Sequence, residues 1–179
     1  MALTTIYSEQ HRHHATGPGH PESPPNYAEV PGRAEAIREA LAAARLGPIV
    51  APDDHGRETI LRVHDPDYVA YLQSISDALK AAAVGLCPML ALPYVARTQK
   101  RYPEDDTSVV RHFAYSRQTP ILPGTWDAVY ASAQVALSAA ARVREGAERV
   151  VYALCRPPGH HAGGNVPGGY CYLNNAGIA

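Results

Sequence analysis

Apolar positions fall into a few periodic runs separated by proline and glycine, and the periods themselves predict elements. Ala34, Ile37, Leu41 and Ala44 recur at helical spacing between Pro31-Gly32 and Gly47-Pro48, so a helix of about three to four turns is expected there. Ile49-Val50-Ala51 then reads as a short strand. Asp65-Pro66 offers an N-cap followed by proline at the first helical position, and Tyr68, Leu72, Ile75, Leu79 and Ala82 form an apolar stripe that predicts a helix to about Gly85. Thr125 is expected to cap a further helix with apolar positions Trp126, Val129, Tyr130, Ala133, Ala136, Leu137 and Ala140. Asp127 suits its positive end, Arg142 and Arg144 its negative end, and Gly146 its stop.

Two segments lack helical period. Leu3-Thr4-Thr5-Ile6-Tyr7 is β-prone, and Val150 to Leu154 is apolar at every position, as an interior parallel strand covered on both faces should be. Helix, buried strand, then a glycine-rich loop at the strand's carboxyl end is α/β architecture. No internal repeat or linker divides the chain. Asn174-Asn175-Ala176-Gly177-Ile178-Ala179 reads as a helix that has just begun, so the expectation is a natural start at Met1 and a premature end.

Periodicity fades from Cys87 to Pro123, where Pro88, Pro93, Pro103, Pro120 and Pro123 punctuate a stretch carrying Arg97, Lys100, Arg101, Glu104, Asp105 and Asp106. Loops of this length are usually functional, disordered or used in an interface. A formal net charge of -1 gives no reason to expect nucleic acid or anionic membrane as a partner. No segment approaches the ~20 apolar residues needed to span a bilayer, and the β-prone run after Met1 is not expected to be a secretory leader, since it shows neither a basic region nor an apolar stretch of that kind. Cys87, Cys155 and Cys171 make no C-x-x-C pair, so a reducing cytoplasm is the expected compartment.

The chemistry concentrates after the last strand, in Arg156-Pro157-Pro158-Gly159-His160-His161-Ala162 and Gly168-Gly169-Tyr170-Cys171-Tyr172-Leu173-Asn174-Asn175. An open α/β sheet carries ligands at the carboxyl ends of its strands. Adjacent imidazoles that converge on one pocket couple their titrations, which suits one base and one acid or electrostatic stabiliser. Amide hydrolysis needs that pair, because water must lose a proton and the leaving amine must gain one. Gly168-Gly169 can bring a main-chain carbonyl close to a ligand. Two other readings stand beside this one: a surface turn, and a zinc site from Cys155, His160, His161 and Cys171, whose spacing matches no common ligand pattern. His11, His13, His14 and His20 also invite a metal reading, although Gly17-Pro18-Gly19-His20-Pro21-Glu22 looks more like a rigid loop at a pocket rim. Cys155 reads as a core residue and Cys171 as an unreactive thiol.

R-P-P-G-H-H-A at 156 to 162, G-G-Y-C at 168 to 171 and N-N-A-G-I-A at 174 to 179 resemble the zinc-dependent histone deacetylase family. G-P-G-H-P-E at 17 to 22, R-V-H-D-P-D-Y at 62 to 68 and P-G-T-W at 123 to 126 extend the resemblance along nearly the whole chain. Arg97-Thr98 and the Pro-Gly-Thr-Trp helix start are more similar to the bacterial acetylpolyamine amidohydrolase branch. The resemblance implies an arginase/deacetylase-like three-layer α/β fold with a central parallel sheet, incomplete at the C-terminus, residues 1–179 being the amino-terminal part of a single deacetylase-type domain. It implies a zinc-bound water attacking an acetamide carbonyl. His160 and His161 would be the catalytic acid/base pair, His161 the general base and His160 its electrostatic partner. Gly169 would offer its carbonyl to the substrate amide and Tyr170 would line the tunnel around the acyl-lysine or polyamine stem. Asn174 and Asn175 would fix the loop to the next helix, whereas His20 and Asp67 sit in matching family motifs and are assigned no catalytic role.

In the family the zinc ligands, two aspartates and a histidine, and a transition-state tyrosine lie downstream of the double asparagine. The expectation is therefore that zinc belongs to the complete enzyme and that this chain alone binds none and is inactive. Glu104, Asp105 and Asp106 would meet a cationic substrate tail, and the 87–123 loop would build a homodimer interface. The positions aligned with the polyamine-binding glutamates read Thr107 and Gln118, which leaves the substrate open between a small acetylated amine and acetyl-lysine. The rival reading is a catalytically inactive truncated chain serving only as an interaction or ligand-binding module. A third is complementation by a separate chain that supplies the metal site.

Overall fold

The computed structural model describes residues 2–15, 28–81 and 119–179. Within them β1 (Thr4–Ile6), β2 (Ile49–Val50) and β3 (Val151–Ala153) form one parallel sheet in the order β2-β1-β3. Thr5 pairs with Ile49 on one side and with Tyr152 on the other. The chain thus leaves the central strand in one direction and returns on its opposite side. That reversal makes the gap between β1 and β3, at their carboxyl ends, a topological switch point.

Five helical segments accompany the sheet in the described residues: α1 (Pro31–Ala43), α2 (Glu58–Leu61), α3 (Pro66–Ala81), α4 (Thr125–Arg144) and α5 (Asn175–Ile178). A 3-10 turn at Glu9–His13 follows β1. Pro66 opens α3 as expected, and the Asp65 carboxylate accepts from the Asp67 N–H at 2.9 Å. The start of α4 differs from the expectation. Gly124 is the cap residue, at φ 84°, while Thr125 is already helical and its hydroxyl accepts from Leu122 N at 2.7 Å. A Cβ at Gly124 would lie 2.9 Å from His13, so left-handed backbone and close approach both favour glycine there.

Helix α4 is central because it is buried on two sides. Val135 and Ala139 meet Ile6 of β1 with Val151 and Ala153 of β3, whereas Val129, Ala133 and Leu137 meet Leu72 and Tyr68 of α3. Tyr172, Leu173 and Ile178 join this second cluster, so the carboxyl end of the glycine-rich loop is anchored in the core. Each valine, leucine or isoleucine among them contributes about 1.5–3 kcal/mol on full burial.

Two expectations about burial need correction. Strand β3 is covered by α4 on its Val151 and Ala153 face, but Tyr152 is 38% exposed and Val150 58% exposed, and among the described residues β3 pairs with β1 only. An all-apolar run shows that a strand tolerates burial on both faces, not that both are covered. Similarly, of the four periodic positions in and after α1 only Ala34 is fully buried, and Ile37 is 37% exposed. Ile37 and Tyr152 instead line one cavity of about 460 Å³ that reaches His160.

Candidate active site

The loop that follows β3 has almost no regular structure, so side-chain hydrogen bonds hold it. Arg156 is buried at its start and donates from Nη1 to the His11 carbonyl at 2.6 Å and from Nη2 to the His14 carbonyl at 2.9 Å. Its Nε lies 2.8 Å from Glu29 Oε1. This ties the carboxyl ends of β1 and β3 together across the switch point. Burial pushes the Glu29 carboxyl pKa up, against the pull of the Arg156 charge. Further on, the Ser132 hydroxyl and the Asn175 side-chain amide both donate to the Pro157 carbonyl, at 2.8 Å and 3.2 Å. Gly159 sits so close to the next helix that an added Cβ would lie 2.5 Å from Asn175 N.

His160 and His161 are both exposed, with ring centroids 4.3 Å apart and planes at 49°. The turn Gly168-Gly169-Tyr170-Cys171 closes with two hydrogen bonds between Gly168 and Cys171, at 2.9 Å and 2.8 Å. Its two central residues have φ 51° and 68°, the signature of a tight left-handed turn. Gly169 takes that conformation readily, whereas at Tyr170 it costs about 1–2 kcal/mol. The His161 ring lies directly on Gly169, where a Cβ would sit 2.5 Å from His161 Cδ2. Cys171 joins the two: its thiol accepts from the His161 N–H and donates to the Gly169 carbonyl, both at 3.4 Å. Burial raises that thiol's pKa, which keeps it a neutral spacer.

His64 carries no functional signal in its local sequence, yet its ring reaches the same loop. His64 Nδ1 is 3.0 Å from the Gly164 carbonyl, and His64 Nε2 accepts from Asn174 N–H at 2.8 Å. Burial lowers its pKa below the ordinary 6.5. The neighbouring Asp65 N–H donates to the same Gly164 carbonyl at 2.9 Å. The residue stands in the R-V-H-D-P-D-Y stretch, where the Asp-Pro helix start was the visible signal and the histidine was not. Tyr68 of the same stretch donates to the Tyr172 carbonyl at 2.7 Å.

Asn174 and Asn175 occupy the structural places expected of them: Asn174 caps α5 through Gly177 N–H, and its amide also donates to the Ala162 carbonyl at 3.3 Å. Asp67 is exposed on α3, away from these contacts. Glu104, Asp105, Asp106, Thr107, Gln118, His20, Cys87 and the 87–118 part of the proposed dimer loop lie outside the described residues.

The amino-terminal histidines diverge. His11 Nε2 faces Glu35 and Tyr7, each at 2.9 Å, His13 faces Asp127 at 3.2 Å, and His14 is buried against Thr125 at 2.9 Å. Among the described residues no three His, Cys, Asp or Glu side chains converge as metal ligands. The Cys155 thiol bonds the Ser132 carbonyl and is pushed up to about 11 by burial, which disfavours the thiolate a metal needs. The described residues therefore do not fit a zinc site.

The sequence model of the histone deacetylase domain matches residues 27–179. The chain is 39% identical over 184 residues to acetylpolyamine amidohydrolase 1 of Pseudomonas aeruginosa, covering 99% of this chain and 52% of that protein. It is 41% identical over 152 residues to acetylpolyamine amidohydrolase of Mycoplana ramosa, covering 84% of this chain and 44% of that one. Among solved structures it is similar to an acetylpolyamine aminohydrolase from Burkholderia pseudomallei, with TM-score 0.73, 34% identity, and coverage of 99% and 51% of the two chains. The chain thus spans about half the length of the relatives it matches. The parallel sheet with its packed helices is the arginase/deacetylase-like fold.

Proposed function

Because this chain belongs to the histone deacetylase family, we propose that it is the amino-terminal portion of an amidohydrolase that removes acetyl groups from amines, with His160 and His161 handling the protons. The observation that carries this reading is the meeting of the two rings, 4.3 Å apart, with the His161 ring seated on Gly169 in the loop that follows β3. His161 takes the proton that the attacking water loses. His160 stabilises the charge that develops, and the departing amine regains a proton from the pair. In this reading the Gly169 carbonyl, on the same turn, accepts from the substrate's amide N–H, and Tyr170 flanks the acyl-bearing stem. A small acetylated amine and acetyl-lysine both present that amide and stem. Zinc, in this reading, belongs to the complete enzyme and is held outside the described residues.

The test is acetate release from N-acetylated amines by the complete enzyme. Replacing His161 by alanine should lower kcat by about 100-fold or more, the usual worth of a positioned general base. A His160→Ala/His161→Ala double variant that turned over at the wild-type rate would overturn the reading.

A further inference from the structure

His64 is built into the loop with its ring buried away from solvent. Its Nε2 accepts from a peptide N–H, that of Asn174, so that nitrogen carries a lone pair and the ring proton resides on Nδ1, which donates to the Gly164 carbonyl. One neutral tautomer satisfies both contacts. Those contacts join the two limbs of the loop on either side of the Gly168–Cys171 turn, the turn on which the His161 ring rests. The Asn174 side chain continues the bridge to the Ala162 carbonyl, next to His161. The ring itself is fully enclosed, with Tyr68 5.9 Å away on its own side. No backbone ladder spans these limbs, since the Gly168 to Cys171 bridge is internal to the turn.

We propose that His64 is a positioning residue that holds Gly164 and Asn174 at fixed separation and thereby keeps the His161 ring seated on Gly169. It acts through the loop and touches neither substrate nor reacting atoms. The inference rests on the proposed deacetylase reading only for what His161 does, not for where its ring is held.

Three variants divide the bridge. Phenylalanine fills the space with neither contact, asparagine can restore the donor to Gly164, and glutamine can restore the acceptor for Asn174. In H64F, hydrogen exchange at the Asn174 amide should rise about tenfold or more, as expected for loss of one buried hydrogen bond. The nuclear Overhauser contact between His161 Hδ2 and Gly169 Hα should weaken. In the complete enzyme kcat should fall about tenfold or more with KM within about twofold, because misplacing a catalytic group by an ångström weakens turnover more than binding. H64Q should recover the Asn174 protection and most of the turnover.

A folded H64F that kept the Asn174 exchange rate, the His161 to Gly169 contact or wild-type kcat would overturn the proposal. Should H64F fail to fold, H64N and H64Q decide: turnover and His161 to Gly169 contact unchanged in both would overturn it, and graded loss of both would support it. If the wild-type enzyme released no acetate, the deacetylase reading alone would fail, and the exchange and contact measurements would still test the positioning role.

Discussion

At Gly169 one missing methyl decides where an imidazole can lie. The atoms nearest to an added Cβ belong to the His161 side chain, at 2.5 Å and 2.9 Å, rather than to backbone. A side chain can swing away, so Gly169→Ala should cost only about 1–2 kcal/mol of stability, chiefly from the left-handed backbone. Its effect should fall on chemistry: kcat about tenfold or more lower, measured beside a urea denaturation curve that separates the two effects. The adjacent histidines and their glycines were legible because residue type and adjacency are local properties. The contact between His161 and Gly169 was not, since it depends on a turn whose second central residue is tyrosine at φ 68°, a conformation no propensity assigns to it. Thr125 shows the same limit in reverse. Its hydroxyl has capping chemistry, yet Gly124, in left-handed backbone and close to His13, holds the cap one residue earlier.

Among elements, the sheet and the long loop communicate through Arg156. It is buried with Glu29 and bonds two carbonyls of the segment after β1, so its removal leaves a carboxylate and two acceptors without that partner. Arg156→Met should lower the free energy of unfolding by about 3–5 kcal/mol, the range for breaking one side of a buried ion pair. The double variant Glu29→Leu/Arg156→Met should be less destabilised than Arg156→Met alone, as denaturant titration of both will read, because no buried charge is stranded. The Asp65-Pro66 start, the α4 register and the onset of α5 were readable from spacing. The exposure of Tyr152 and Ile37 was not, because periodicity reports which face is apolar and not which neighbour covers it.

For the molecule as a whole, pH is the variable that sums over buried groups. Burial lowers the His64 and His11 pKa values below 6.5, so as pH falls through 6.5 the unfolded chain takes up protons that the folded chain resists. Glu35 accepts from Arg12, Tyr7, Arg38 and His11, with Arg12 the largest influence, and its pKa is depressed from 4.5. Its contribution is present above that value and is lost as pH falls below it. Melting temperature should therefore decline in two stages, first below about pH 6.5 from the histidines and then below about 4.5 from Glu35. Thermal melts across pH 3 to 8 will check this. Glu35→Gln should flatten the lower stage, and a variant unchanged there would contradict the assignment.

Local pattern was enough to establish the α/β class, the proline-marked starts of α1 and α3, the strand before the loop and the histidine pair, because each of these is encoded by residues within a turn or two of one another. The loop's fastening came only with the tertiary structure. His64 reaches partners 100 and 110 positions away, and Arg156 one 145 positions away. No period or motif spacing spans such distances. They close only when the order β2-β1-β3 brings the ends of β1 and β3 together and the apolar residues of α3 and α4 clamp Tyr172 and Leu173 between them.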